Sequence, residues 1–424
     1  MKSNNLLIII ILALSLLIAL LVVLPGKEGY FLHPGGIEKG IKQAGEDQSD
    51  YIPENPPSAG EAVPGQVLNV EERIMAPAFP VSLLYDKYIT GYTYIFVESE
   101  SADIYSGPSR EEGIIGKARY GERLDYLETV YVAAGDGSAE EWFHVLFEKE
   151  AGGKFGFVSG AGLKERWYQF DKMEKAIAEA DACAENDRLT YISNYQNKNG
   201  YAPLYKGMSL DGEGNRRSQS APGYKSLSDM EDFVYIGDGT LVQHLLSEED
   251  YAKVKVVATG EEYYVPLKYI PADHFIHNLT RVIAVDVSKQ NEAVFEKKNE
   301  GWTLISYTQA TSGTKGRYAQ PTPVGLFFAM EKKPYFRYYE DGTTNIQGYA
   351  PYAIRFAGGA YIHGIPVNYK YGADGTLVAP PHQEYSKTIG TVPLSHKCVR
   401  NYTSHAKFLY DWFIPGETII IVID

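Results

Sequence analysis

The chain has 424 residues, with 40 Lys and Arg against 54 Asp and Glu, a formal charge of −14. Such a length holds two to four domains, and a 44% hydrophobic content excludes a wholly disordered chain. The acidic balance excludes a nucleic-acid binder, which needs a basic footprint.

Leu6 to Leu24 is apolar except for Ser15. At about 1.5 Å per residue such a run spans a hydrocarbon core of roughly 30 Å. A cleaved signal peptide has a shorter apolar region, about 7–15 residues, followed by small residues. Here the run ends in Val22, Val23 and Leu24, then Pro25 and Gly26. Residues 1–25 are therefore expected to be a single-pass plasma-membrane anchor, with the membrane contacted through residues 6–24. The short head leaves everything else on the extracytoplasmic side, with Lys2 inside and Lys27 on the far flank. Residues 26–80, rich in Pro, Gly and acid, read as a disordered tether.

The 34 Tyr, 41 Gly and 22 Pro favour strands and turns over helical bundles, and the fold class is mainly β. Residues 90–166 show short strands with turn signals: Ala102–Ser109 running into a Gly-Pro turn, Ile114–Glu128 around Gly121, Trp142–Phe147, and Gly153–Leu163. The order of cues resembles a bacterial SH3-like module, which implies a small barrel that docks on cell-wall material. Residues 167–188 have apolar residues at helical spacing (Met173, Ile177, Ala180) and are expected to form a connecting helix. Residues 189–272 resemble a second SH3-like module. Within it Ser220–Leu227 reads as a turn, Phe233–Leu246 as a hairpin about Asp238-Gly239, and Tyr251–Ile270 as a hairpin with Gly260 at its tip.

Residues 279–424 carry the chemistry. Arg281–Lys298 reads as a hairpin, Trp302–Gly313 and Pro321–Lys333 as strand regions, and Asn401–Phe413 as a short helix that Asn401 or Thr403 can cap. A final strand follows Pro415-Gly416. His363 ends a short strand, and Ser395-His396-Lys397-Cys398-Val399-Arg400-Asn401 follows after 31 intervening residues. The two cysteines, Cys183 and Cys398, cannot make a disulfide framework. A Cys with a distant His is a nucleophile-and-base candidate, and an adjacent imidazolium lowers a thiol's pKa. Spacing alone leaves a buried Cys with ordinary histidines open. So does a pairing of Cys183 with Cys398. A metal site is weakly supported, because HExxH and CxxC spacings are absent; His274 and His277 suit a domain junction equally well. No metal and no cofactor is expected.

His363-Gly364, the Ser395–Asn401 motif, Ala284–Gln290 and Thr322–Phe327 together, in this order, resemble the L,D-transpeptidase (YkuD-like) catalytic domain. The resemblance implies a β-sandwich-like domain with a short helix. It implies Cys398 as the acylated nucleophile and His363 as a base oriented by a main-chain carbonyl. His396 counts with them as catalytic and, with Ser395, supports the site around Cys398; Gly364 gives room beside His363, and Asn401 is a supporting residue. Arg400 organises the loop or meets a substrate carboxylate. The implied activity joins peptidoglycan stem peptides: a tetrapeptide acylates Cys398, and the acyl group passes to an acceptor amine. The alternatives are an L,D-carboxypeptidase, or a catalytically degenerate cell-wall-binding protein. Two departures stand out. The His363–Ser395 interval is long for the family, and its extra stretch, residues 366–390, is expected to form a lid. Lys397 occupies a position that is usually Gly, which implies either ordinary backbone or strain, and its charge can depress the Cys398 pKa.

Overall fold

The computed structural model describes residues 31–33, 36–38, 64–148, 153–185, 188–272, 276, 278–299 and 301–424. The chain divides into two compact units, Met1–Asp47 and Gln48–Asp424. In the first, Phe31–His33 pairs antiparallel with Gly36–Glu38. The apolar run 6–24, His274 and His277 lie outside the described residues. Among the described residues, no helix is long and apolar enough to cross a membrane.

The second unit is mainly β. Its described residues include two α-helices, α1 (Phe170–Ala184) and α2 (Thr403–Trp412). The first module is an antiparallel sheet of eight strands centred on the long strand Arg123–Ala133, whose twist carries it between Thr93–Val97 and Ala139–Glu148. Ile95, Val97, Ile104, Val145 and Val158 alternate inward along these strands and fill its core.

The expected tether boundary at residue 80 is too late. Val67–Glu71 pairs antiparallel with Arg123–Ala133, and Arg73 makes ion pairs to Glu71 (2.6 Å) and Glu165 (3.2 Å). Beyond it, the N–H groups of Ala78 and Phe79 reach the Glu174 carboxylate of α1, and Val81 bridges to Leu304. A short β-branched run next to an unpaired strand edge adds itself to that edge.

Two expectations for residues 189–272 are also corrected. Ser220–Ser226 is a strand, paired with Asp229–Gly237, rather than a turn. Its other neighbour, Glu262–Pro266, pairs with it only at Tyr224, so the missing N–H of Pro222 costs no ladder bond there. Asp229–Gly237 and Leu241–Glu248 do not form a hairpin. The first pairs with Ser220–Ser226, and the second lies between Leu189–Tyr191 and Tyr251–Val256. The Asp238-Gly239 turn is instead a docking point. Buried Asp238 accepts the N–H groups of Asn194 (2.7 Å) and Tyr195 (2.9 Å) and pairs with Arg355 (2.8 Å). Gly239, at φ +90°, accepts the Phe328 N–H at 2.8 Å, and a Cβ there would collide with the Phe356 carbonyl. The hairpin with Gly260 at its tip is present as Tyr251–Val256 and Glu262–Pro266.

The described residues from 281 onward form two five-stranded sheets and one small two-stranded one. The first has the order Gly301–Gln309, Asn291–Lys298, Arg281–Asp286, Thr418–Ile423, Gly325–Phe328, with Arg281–Asp286 parallel to Thr418–Ile423. Its inner face (Ile283, Val285, Val294, Ile420, Val422) packs on Ile354, Phe356, Ile362 and Val399 of the second sheet and on Leu409 of α2. Its outer face (Val282, Ala284, Phe295, Leu304, Ile419, Ile421) is covered by Phe170, Met173, Ile177 and Ala180 of α1. The helix expected as a connector is thus a structural layer, and the period-two alternation of the strands feeds both cores.

Truncating this layer should be costly. Ile177→Ala is expected to lower stability by about 2–5 kcal/mol. Because α1 and the catalytic sheet share one core, far-UV and tryptophan signals should still report one coincident transition in a urea titration. Separate transitions for the modules and the catalytic sheet would contradict the shared core.

Candidate functional site

Cys398 immediately precedes a two-residue strand, Val399–Arg400, that runs parallel to Ala360–His363. Ile362 faces Val399 and His363 faces Arg400; the Asn401 N–H donates to the His363 carbonyl at 2.9 Å. On the other side, Thr311 and Arg400 exchange both main-chain hydrogen bonds at 2.9 Å. So short a strand holds its place because it is paired on both edges.

The loop before Cys398 is tied down as firmly. The Ser395 N–H donates to the Ser312 carbonyl (3.0 Å), and the Ser395 hydroxyl donates to the Cys398 carbonyl. Thr322 receives the Gly313 N–H (2.7 Å) and donates to the Lys397 carbonyl (2.9 Å). Gln290 Nε2 reaches Ser312 Oγ (2.7 Å), and Gln290 Oε1 accepts the Ser312 N–H (3.0 Å). The Ala284–Gln290 and Thr322–Phe327 segments therefore act through Gln290 and Thr322, which brace the Cys398 loop from behind. Gly313 is required by close approach: a Cβ there would lie 2.6 Å from Lys397 Cα.

Cys398 is half-buried, and Sγ lies 3.9 Å from the Gly359 carbonyl. Both thiols are free, so no Cys183–Cys398 disulfide forms. Cys183 sits half-buried on α1 against the outer core. Burial pushes the Cys398 thiol up; a main-chain hydrogen bond from Tyr361 and the Arg400 and Lys397 charges pull it partly back. His363 is buried, and Nδ1 lies 2.6 Å from the Gly364 carbonyl. This assigns the ring proton to Nδ1 and leaves Nε2 as the acceptor. Burial pushes His363 down to about 4, with Arg400 adding to the effect and the Gly364 bond opposing it. The expected thiolate–imidazolium pair is thus replaced by two neutral groups, because burial penalises each charged form. Phe336 packs edge-on against the imidazole, with 5.2 Å between centroids, and stacks on Tyr361.

The remaining expected residues separate into groups. Arg400 is half-buried between Cys398 and Tyr338, and burial lowers its pKa. Gly364 gives room on the helix side: a Cβ would lie 2.9 Å from Thr403 Oγ1 and 3.0 Å from Pro351. His396 is exposed and pairs with Asp341 at 3.1 Å, in the turn that follows Glu331–Tyr339. Lys397 has φ +116°, so strained backbone is the outcome at this position.

Asn401 does not cap α2, and neither does Thr403. Asn401 Nδ2 donates to Glu292 Oε1 (2.8 Å) and to His405 Nδ1 (3.1 Å), and His405 Nε2 faces Ser306 Oγ at 3.0 Å. Thr403 Oγ1 accepts the Ile365 N–H and donates to the Gln383 carbonyl. The cap comes from the long insert: Glu384 accepts the Ser404 N–H at 2.9 Å, placing a carboxylate at a helix N-terminus. That insert is only partly lid-like. Residues 370–378 form a small exposed hairpin. Residues 380–391 are pinned, with Tyr385 in an aromatic stack with Tyr402 and Tyr88. Arg166 of the first module donates to the carbonyls of Gly390 (2.8 Å) and Thr391 (2.9 Å), and Arg123 to that of Ile389. Nothing in the sequence pointed to these contacts of Arg166, Glu384, Thr311, Glu292 and His405; Gln290 and Thr322 stood in the two segments that carry the resemblance, and Asn401 was expected as a cap or supporting residue.

The buried network has a testable titration. Burial pushes the Glu292 carboxyl up from 4.5 to about 8. The folded state then binds this proton more tightly than the unfolded chain. Its contribution to stability is full below pH 4.5 and is lost as pH rises toward 8. Glu292→Gln keeps an acceptor for Asn401 and should flatten that loss in thermal unfolding across this window. It should leave kcat nearly unchanged, whereas a large fall in kcat would mean that a carboxylate is needed for catalysis.

Residues 280–422 match the family model of YkuD, the L,D-transpeptidase catalytic domain. No curated protein matches the chain. Among similar solved structures, a fused Zn-dependent amidase/peptidase/peptidoglycan-binding domain-containing protein from Clostridium acetobutylicum is 25% identical, over 34% of this chain and 51% of that one, with a TM-score of 0.23. An L,D-transpeptidase from Stackebrandtia nassauensis is 19% identical over 34% of this chain and 56% of that one, with a TM-score of 0.23. A protein of Bdellovibrio bacteriovorus is 20% identical over 35% and 49%, with a TM-score of 0.22. This chain spans about half the length of these solved chains. The part of the chain that holds Cys398 and His363 is thereby a catalytic domain of the L,D-transpeptidase type.

Proposed function

We propose that the protein is a membrane-anchored peptidoglycan L,D-transpeptidase working outside the plasma membrane, with Cys398 as nucleophile and His363 as general base. The observation that carries this reading is the His363 Nδ1 bond to the Gly364 carbonyl, on a strand parallel to the one that Cys398 precedes. It leaves Nε2 as a proton acceptor within the family's catalytic domain.

His363 Nε2 takes the Sγ proton as sulfur attacks the carbonyl of the third residue of a stem tetrapeptide. Main-chain N–H groups beside Cys398 stabilise the oxyanion, and the Arg400 cation favours the developing negative charge. The tetrahedral intermediate collapses, the bond to the terminal D-amino acid breaks, and its amine leaves with the proton held by His363. An acceptor amine then attacks the thioester, passes a proton to His363, and releases the cross-linked product. The thiolate recovers that proton. The apolar segment 6–24 holds the enzyme at the membrane. The two antiparallel modules keep wall polymer near the site in the manner of SH3-like units, which pelleting with purified wall tests.

Incubated with disaccharide tetrapeptide, the protein should give a cross-linked dimer and a Cys398 thioester by mass spectrometry. Cys398→Ala should lose on the order of 10³-fold or more in rate. Tripeptide alone would identify a carboxypeptidase, and neither product nor adduct would leave a degenerate wall-binding protein.

The pH profile is a second check. His363 must be neutral to accept the proton, and it is pushed down to about 4. On the acid side kcat/KM should therefore hold through pH 6.5 and fall only near pH 4. An acid limb at pH 6.5 would mean that His363 is not buried during turnover.

A further inference from the structure

A cleft of about 420 Å³ lies between the second module and the catalytic domain. One wall belongs to the module, with Arg216, Lys225, Tyr235 and Glu261; the other includes Gln320, Val324, Gly358 and Lys397. It reaches the reactive centre by two chain neighbours. Lys397 precedes Cys398, and Gly358 precedes Gly359, whose carbonyl faces Cys398 Sγ.

The charges in the cleft are unevenly committed. Asp238 is spent on Arg355 and on two main-chain N–H groups. At the far end, Glu261 accepts the Tyr263 hydroxyl and lies 4.0 Å from Lys225, with Glu213 also near Tyr263. At the Cys398 end stand Lys397 and Arg216. Neither makes a salt bridge with a carboxylate among the described residues. Burial lowers the Lys397 pKa and the Arg216 charge adds to that, while Cys398 and Asp238 oppose it.

Both cations are presented by constrained backbone. Lys397 keeps φ +116°, a conformation that side-chain-bearing residues adopt only when the surroundings impose it. Arg216 follows a turn in which Asp211 accepts the N–H groups of Glu213 (3.0 Å) and Asn215 (2.7 Å) and Asn215 Nδ2 (3.0 Å). Two cations from separate elements, held near each other beside a nucleophile, repel until an anion lies between them.

We propose that Lys397 and Arg216 form a carboxylate-binding subsite for the peptide that acylates Cys398, so that the second module is part of the active site. The inference rests on Cys398 being the nucleophile. The ligand is a peptide with a free carboxylate close to the reacting carbonyl. That carboxylate is either the terminal one or one borne on a side chain of the stem.

The test uses the full chain carrying Cys398→Ala, titrated by calorimetry with three peptides: the free stem tetrapeptide, its terminal amide, and the analogue amidated on its other carboxylates. Loss of one charge-assisted contact should weaken binding about tenfold for the amide that removes the recognised group. Which amide weakens binding identifies the source of the carboxylate. Adding Arg216→Gln, an exposed substitution on the turn, should erase this preference, and Arg216→Lys should keep part of it. Equal binding of all three peptides, no binding of any, or a preference unchanged by Arg216→Gln would overturn the subsite. Thioester formation on the chain with native Cys398 is read separately. Thioester with a preference indifferent to Arg216 sinks the subsite alone. An Arg216-dependent preference with no thioester sinks the role of Cys398 and keeps the subsite.

Discussion

The site depends on two residues of parallel pairing, Ile362 with Val399 and His363 with Arg400. This parallel register brings the residue before Val399, Cys398, to the adjacent strand that ends in His363, although the two are far apart in the chain. A two-residue strand has little cohesion of its own. It is stable here because Thr311 closes its second edge with two hydrogen bonds, and because Ser395, Thr322 and Ser312 fix the loop that enters it. The reacting groups are thus held by main chain and short hydroxyl contacts, which have few rotamers to lose.

That dependence extends beyond the catalytic domain. Arg166, stacked 3.9 Å over Phe96 in the first module, grips the carbonyls of Gly390 and Thr391 just upstream of the Cys398 loop. Helix α1 seals the outer face of the catalytic sheet, and Glu384 of the insert caps α2. On the other flank, Asp238 and Gly239 lock the second module onto Arg355 and Phe328. The modules are parts of one packed body with the catalytic sheets, and each supplies a contact that the active loop or its sheet uses.

How much of this could be read from the chain follows from the range of each interaction. Strand alternation, Gly turns and the His-Gly and Ser-His-x-Cys spacings are local, so the β architecture and the residues around Cys398 were legible. The Asp238-Gly239 turn misled because Asp-Gly between apolar runs is a strong hairpin signal. Its carboxylate and its missing Cβ serve a contact with residues more than a hundred positions away. Asn401 misled in the same way: a good cap residue at a helix start was taken up by Glu292 and His405 in the core. The strand at Val67–Glu71 was hidden in a polar, Pro-rich stretch, because its partner edge lies in a distant strand.

Electrostatics was the least legible layer, because burial sets its sign. A Cys near a His suggests an ion pair, and in a wet site it would form one. Here His363 is enclosed by Phe336 and its own strand and Cys398 is half-buried, so both neutral forms are favoured. In the proposed reaction, separating the charges is left to the moment of attack, when the sulfur's charge passes to the substrate oxyanion. Lys397 belongs to the same balance. Its charge acts on the thiol from strained backbone, on the side of the cleft that Arg216 also lines. A carboxylate bound at Lys397 would withdraw part of the charge that favours the thiolate. In the proposed reaction the field of that charge is strongest in the empty site and weakens as substrate fills it, so proton transfer to His363 is driven by bond formation to the carbonyl rather than by the resting charges.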